Sequence, residues 1–152
     1  MLLEFKTKNY KSFVEEASFS MVAAPKQKGL DYSLMKTKIK GKEIKGLSSS
    51  VIYGPNAAGK TNIIGAMDVL RAIVLRGNIR NSEEKSSPNP AAAALELIPN
   101  NNEMESKPVC FEIEFYEEDG EDHKFKIHYE LEVDLGTFLE EEHQRKILAE
   151  VL

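Results

Sequence analysis

Hydrophobic and polar residues alternate with a period of two at residues 3–8, near the start of the chain. This alternation is typical of a strand with one buried face. Turn residues at 9–12 are followed by a looser alternation over residues 17–23, which predicts a second strand and hence a hairpin. The lysine- and glycine-rich residues 24–45 predict a loop or weak edge structure.

The spacing of hydrophobic residues changes to three and four after Lys60. It predicts an amphipathic helix that ends near Gly77, a residue suited to a C-cap, with an apolar face formed by Ile63, Ile64, Met67, Leu70, Ile73 and Val74. A short apolar run, Val51 to Tyr53, precedes this region between turn residues. Such a run favours a buried central strand.

The second half of the chain is dominated by another period-two pattern. Residues 109–115 and 125–133 alternate on either side of a turn at 118–122, centred on Gly120, and predict an antiparallel hairpin. Residues 78–90 and 100–107 are polar and predict exposed loops, while residues 91–98 suit a short helix or a strand. The helix formers of residues 137–152 predict a terminal helix with a solvated acidic run at 140–142.

The composition and charge of the chain indicate which classes of protein it can belong to. The chain has 152 residues, 41% hydrophobic and 30% charged, with a net charge of −5, which is typical of a soluble globular domain and excludes a generally basic nucleic-acid binder. The segment that contains Lys26, Lys28, Lys36, Lys38, Lys40, Lys42 and Lys45 is locally basic. Neither an apolar run long enough to span a membrane nor a signal peptide is present, so we expect a cytoplasmic protein.

The cysteine and the histidines indicate neither a nucleophile nor a metal site. Cys110 is the one cysteine and lies in a strand-like run, so we interpret it as a buried structural thiol. His123 and His128 are five residues apart and would face opposite sides of a regular strand, which argues against a shared metal site.

The sequence GPNAAGKT carries the strongest chemical signal, because it matches the Walker A pattern of a phosphate-binding loop. Glycines permit backbone angles that turn N–H groups towards phosphate oxygens, and the following helix adds its unpaired amides. The lysine would reach the β- and γ-phosphates. The pattern therefore predicts binding of ATP, or less strongly GTP, by Gly54, Pro55, Asn56, Ala57, Ala58, Gly59, Lys60 and Thr61.

Thr61 is the predicted protein ligand of Mg²⁺, with water, phosphate oxygen and a distant carboxylate as the other ligands. No Walker B segment supplies that carboxylate. Asp134 ends the nearest candidate, but its segment alternates like an exposed antiparallel strand and is rejected. Gln144 lacks the surroundings of a Q-loop glutamine, so no catalytic residue is identified.

Two segments resemble a known family. EFKTKNYKSF at 4–13 and VIYGPNAAGKTNII at 51–64 resemble the RecF/SMC-like branch of ABC-type ATPases, especially the overcoming-lysogenization-defect and abortive-infection-related proteins. The shared opening pattern is Asn9, Tyr10, Lys11, Ser12 and Phe13. The resemblance implies that Lys11 is a second positive contact to the phosphates, although a surface lysine is an equally good interpretation. It also places Asn62 in the nucleotide-binding set.

The resemblance implies an α/β fold: the N-terminal lobe of an ABC-type P-loop NTPase, with an antiparallel β-subdomain and the remainder of the domain further along a longer chain. Within one partial domain, 1–152, it suggests a P-loop part at 1–77, a polar loop region at 78–107, the hairpin subdomain at 108–135 and a terminal segment at 136–152.

The function that the resemblance implies is ATP binding with Mg²⁺, and ATP hydrolysis in a complete protein whose ATPase heads form a homodimer. It also implies a role in phage defence or DNA repair, with DNA or an effector protein as a partner. Three alternatives stay open. A GTPase should show N-K-x-D, which is absent, and a nucleotide kinase should show a cluster of lid arginines. The third alternative is a non-catalytic nucleotide-binding or interaction module.

Overall fold

The structure is a computed structural model that describes residues 1–25, 29–39, 41–79, 95–101, 107–120, 123–137 and 143–152. It contains one α-helix, seven strands and a short 3-10 turn among these residues. The elements are β1 (Leu2–Lys8), β2 (Ala17–Ser20), the 3-10 turn (Asp31–Ser33), β3 (Leu34–Ile39), β4 (Lys42–Leu47), α1 (Lys60–Arg76), β5 (Val109–Glu118), β6 (Lys124–Asp134) and β7 (Lys146–Val151).

A five-stranded sheet in the order β2-β1-β5-β6-β7 forms the framework, and every pairing in it is antiparallel. Both predicted hairpins are confirmed, since β2 pairs with β1 and β6 pairs with β5. β2 is shorter than the sequence predicted. β1 joins the two hairpins, because its other edge pairs with β5, more than 100 residues later in the chain.

One face of this sheet packs with α1 to form the hydrophobic core. The strands contribute Phe5, Val109, Phe111, Leu131 and Val133, and the helix contributes Ile63, Ala66, Val69, Leu70, Ala72 and Ile73. The predicted helix is confirmed, and the Gly77 N–H donates to the Ile73 carbonyl oxygen at 2.8 Å at its C-terminal end. Ile64 and Val74 were predicted on the apolar face but are more than half exposed.

The predicted central strand at Val51 to Tyr53 is wrong. These residues are irregular, and Val51 and Tyr53 are 81% and 88% exposed. β-Branched residues favour a strand only where another strand pairs with them, and among the described residues none lies beside this segment.

Two other predictions are corrected by strand pairing. The lysine-rich segment, predicted as a loop or weak edge structure, is mostly the β3–β4 hairpin, a separate two-stranded sheet, so regular strands replace the predicted loop. The predicted terminal helix is replaced at its end by β7, which pairs with β6 along its length. Of the other residues of that prediction, 137, 143–145 and 152 are not helical, and 138–142 lie outside the described residues.

Several predicted features lie wholly or partly outside the described residues. The predicted loops at 78–90 and 100–107 are described only at 78–79, 100–101 and 107, and the acidic run 140–142 is outside. The described residues also leave out three of the lysines of the basic segment, Lys26, Lys28 and Lys40, and two residues of the predicted hairpin turn, Glu121 and Asp122. Residues 95–98 form neither helix nor regular strand, although Leu95 and Leu97 are buried.

The described residues thus form a mixed α/β structure with antiparallel sheets. Among them, no helix combines the length and the hydropathy that crossing a bilayer requires.

Candidate functional site

The glycine-rich loop leads directly into the N-terminus of α1. Residues 54–58 are exposed, and the helix begins at Lys60 after Gly59, which adopts φ 80° and ψ 8°. Ala57 also has a positive φ, of 62°. No side chain caps the first turn of the helix, in which the N–H groups of Asn62 and Ile63 donate to the Gly59 carbonyl oxygen at 2.9 and 3.3 Å. An anion would meet the amides that precede these two. This is the geometry of a helix N-terminus that can receive an anion.

The two glycines of the motif differ in their structural requirement. A Cβ added to Gly59 would lie 2.9 Å from Cε1 of Phe13 and 3.0 Å from Oγ of Ser12, so both the backbone angle and the space demand glycine. Gly54 has no positive φ, and an added Cβ would make only an ordinary 3.8 Å contact with Ala58. The prediction that both positions need glycine backbone angles therefore holds for Gly59 alone.

Lys60 lies across the loop. Its Nζ donates to the carbonyl oxygens of Gly54 at 2.8 Å and Pro55 at 2.6 Å. These contacts close the loop of residues 54–60 around one ammonium group. A phosphate oxygen at the same place would be a stronger acceptor than a carbonyl oxygen, because it carries negative charge.

A second segment, the turn of residues 9–13, packs against the loop. Asn62 donates from Nδ2 to Oγ of Ser12 at 2.7 Å, and Phe13 is the ring that approaches Gly59. Tyr10 is fully buried and anchors the turn, since its ring packs edge-on against Phe111 with centroids 5.8 Å apart. Burial, and then the nearby carboxylates, raise the pKa of the Tyr10 hydroxyl. The structure therefore joins the two segments that carried the family resemblance.

Lys11 has a partner that the sequence did not reveal. Its ammonium group pairs with the carboxylate of Glu96 and lies 5.5 Å from the centre of the Tyr10 ring. Its backbone has a positive φ of 48°, which is uncommon for a residue with a side chain. No sequence signal links Lys11 to a residue 85 positions away. Its predicted contact with phosphate stays a prediction.

Thr61 is exposed on the first turn of α1, where its hydroxyl can serve as a metal ligand. Asp134, which the sequence rejected as the metal carboxylate, accepts a hydrogen bond from the Gly136 N–H at 3.0 Å and lies 3.0 Å from Nε2 of His143. It is the last residue of an antiparallel strand that pairs with β7. The antiparallel strand that the alternation predicted here is thus confirmed.

The outer face of the main sheet carries a cluster of His128, Glu112 and Glu130, whose ligand atoms lie within 4.8 Å of one another. Lys6 donates to Glu112 at 2.9 Å, and Nε2 of His128 lies 2.6 Å from Glu130. The hydrogen bond with Glu130 is the main reason that the pKa of His128 is raised. Because lysine and histidine supply positive charge to these carboxylates, we assign an ion-pair network to this face.

The remaining histidine and cysteine are not at the loop. His123 lies at the hairpin turn beside Asp119, at 3.0 Å, and is not part of the cluster around His128. Cys110 is half-buried on β5, and burial, followed by the charge of Glu132, raises the pKa of its thiol. A raised pKa lowers the thiolate fraction, so this thiol is a poor nucleophile.

Comparison with known proteins identifies a family. Residues 49–148, more than half of the chain, match the model of an AAA-domain family that is described as AbiEii toxin-like, of a type IV toxin–antitoxin system. No curated protein and no solved structure matches the chain. The match includes the glycine-rich loop, α1 and the β5–β6 hairpin, while the turn at 9–13 precedes it. The chain therefore belongs to this ATPase-like AAA-domain family.

Proposed function

We propose that the chain binds the triphosphate of ATP, with Mg²⁺, at the loop formed by residues 54–61. The observation that carries this proposal is the position of Lys60, whose ammonium group is held by the carbonyl oxygens of Gly54 and Pro55 at the uncapped start of α1. An AAA-domain family also suggests a nucleotide-binding function of the ATPase type.

The residues of the loop suit a triphosphate. The first amides of α1 and the positive end of its dipole favour negative charge, and the loop is exposed enough for a large anion to enter. Lys60 would exchange its two carbonyl acceptors for β- and γ-phosphate oxygens. Thr61 would hold Mg²⁺, which neutralises phosphate charge when bound. Asn56 in the loop and Asn62 on α1 would complete the proposed binding set.

Calorimetric titration with ATP and GTP, in the presence of Mg²⁺, tests the proposal on the unsubstituted chain and on Lys60→Ala. A hydrogen bond to a charged group contributes about 1.5–3 kcal/mol, so the substitution should weaken ATP binding about ten- to hundredfold. Lys124→Ala is the control, because Lys124 is a paired surface lysine on β6. Equal binding by the unsubstituted chain and Lys60→Ala would rule out the loop as the binding site.

ATP should bind more tightly than GTP, since the sequence lacks the N-K-x-D motif that a GTPase uses for guanine. A preference for GTP would favour the alternative P-loop class. Loss of the Mg²⁺ dependence in Thr61→Ala would support the proposed role of that hydroxyl.

We further propose that hydrolysis belongs to a complete ATPase head of the ABC type, in which two heads form a homodimer. Hydrolysis needs a group that orients water, and the sequence offers no such carboxylate. These 152 residues should therefore bind ATP without turning it over. Release of phosphate by the purified chain, lost in Lys60→Ala, would contradict this. A role in phage defence or DNA repair, with an effector protein or DNA as the partner, is proposed on the resemblance alone.

A non-catalytic nucleotide-binding module is the second candidate function. The absence of a recognisable water-positioning carboxylate in the sequence favours it. A longer protein that carries this chain and hydrolyses ATP would exclude it.

A further inference from the structure

Lys11 lies where three parts of the protein meet. Its own turn, residues 9–13, contacts α1, because Nζ of Lys11 lies 3.8 Å from the place that a Cβ on Gly65 would occupy. On its other side the ammonium group pairs with Glu96. The lysine side chain is 19% exposed, whereas that of Glu96 is 66% exposed. The carboxylate is thus the more accessible partner.

The backbone of Lys11 is fixed independently of this ion pair. Its N–H donates to the Ile98 carbonyl oxygen at 3.0 Å, and Nδ2 of Asn100 donates to the Lys11 carbonyl oxygen at 2.6 Å. The N–H of Asn100 also donates to the Asn9 carbonyl oxygen, at 3.0 Å. These bonds hold Asn9 and Lys11 at positive φ, of 53° and 48°, where a side chain is unfavourable. Only the side chain of Lys11 is therefore free to change its partner.

The same turn is part of the wall of the proposed nucleotide site. Ser12, the next residue, accepts from Asn62 at 2.7 Å, and Phe13 lies against Gly59. Lys11 is thus one residue from a direct contact with the loop that would hold the phosphates. A triphosphate there would offer this ammonium group a second anionic partner.

We propose that Glu96 sets the nucleotide affinity of this protein by competing with the triphosphate for the ammonium group of Lys11. This inference rests on the proposed function. Glu96 is a positioning residue, since it acts through Lys11. The carboxylate is 66% exposed, so water can replace Lys11 as its partner when the pair separates, and ATP binding can shift Lys11 from the carboxylate to the phosphates. The segment of residues 95–100 would then carry information about nucleotide occupancy.

The test is a double-mutant cycle on ATP binding with Glu96→Gln, Lys11→Met and both together. Glutamine keeps the size of Glu96 and leaves its carbonyl oxygen, which accepts from the Tyr10 hydroxyl at 3.1 Å. Removing a competing ion pair whose carboxylate is exposed should tighten ATP binding about two- to fivefold in Glu96→Gln. Lys11→Met should weaken binding, and Glu96→Gln should add nothing in the Lys11→Met background.

The control is Glu118→Gln, which makes the same charge change at a carboxylate paired with Lys124. Glu118 ends β5, about 26 Å along the strand from Cys110, which pairs with Lys8 near the turn. An unchanged or weaker affinity in Glu96→Gln, or an equal gain with and without Lys11, would overturn the inference. The proposed function survives those results if Lys60→Ala still loses binding. If the unsubstituted chain fails to bind ATP, both are wrong.

Discussion

Gly59→Ala should both destabilise the protein and abolish the nucleotide site. Gly59 adopts φ 80°, which costs an alanine about 1–2 kcal/mol. The new Cβ would also lie 2.9 Å from Cε1 of Phe13 and 3.0 Å from Oγ of Ser12. Overpacking of this kind costs typically 1–3 kcal/mol, so we expect a total loss of roughly 2–5 kcal/mol in the free energy of unfolding.

Two other glycines separate these contributions. Gly77 has φ 66° and open space around its added Cβ, so Gly77→Ala should cost only the backbone share, about 1–2 kcal/mol. Gly54→Ala meets neither obstacle. It should keep its stability within about 1 kcal/mol, because alanine in place of glycine at a compatible backbone position changes the free energy of unfolding by only about 0.4–1 kcal/mol.

Urea unfolding followed by far-ultraviolet circular dichroism measures all three variants, since the chain has no tryptophan for fluorescence. ATP titration is then made under conditions where each variant is folded. If Gly59→Ala costs no more than Gly77→Ala, the close packing between the turn at 9–13 and the loop is refuted. If Gly59→Ala is destabilised but binds ATP normally, the loop geometry is not the basis of binding.

Three further predictions concern single side chains. Tyr10→Phe should lower the free energy of unfolding by about 0.5–1.5 kcal/mol, because the Tyr10 hydroxyl donates to the backbone carbonyl oxygen of Glu96. An unchanged midpoint of urea unfolding would contradict this. The pKa of His128 is raised chiefly by Glu130, so its stabilising charge is fully present below its ordinary value of 6.5 and is lost as pH rises through the folded-state pKa. His128→Gln should therefore flatten the decline in Tm as pH rises above 6.5, whereas an unchanged decline would count against this pair. Cys110 should be alkylated more slowly in the folded chain than in urea, since burial raises the pKa of its thiol; equal rates would exclude the protection.

The local hydrophobic pattern predicted those elements whose period is visible within one short stretch of the sequence. Helix α1 shows a 3.6-residue period that ends at a glycine, and β5 and β6 alternate on either side of a short turn. The phosphate-binding loop was also found from sequence, because its glycines, lysine and threonine all fall within residues 54–61 at the spacing of the Walker A pattern. In each case the residues that determine the structure are neighbours in the chain.

Tertiary pairing decided the elements that pattern misjudged. β7 contains the helix formers Leu148, Ala149 and Glu150, yet it is a strand because its backbone bonds to β6. The run Val51 to Tyr53 is the opposite case. Its propensity favours a strand, but it is irregular, because no neighbouring strand among the described residues pairs with it.

In the candidate site, too, some features follow from the sequence and others only from the tertiary structure. The sequence by itself determined that a phosphate-binding loop precedes a helix, and the resemblance added the turn that contains Lys11. Only the tertiary structure brought Ser12 to Asn62, Phe13 to Gly59, and Lys11 to Glu96, because these contacts join residues 46 to 85 positions apart. Contacts over such separations depend on how β1, α1 and the segment of residues 95–100 pack together, and that packing leaves no periodic signal in the chain.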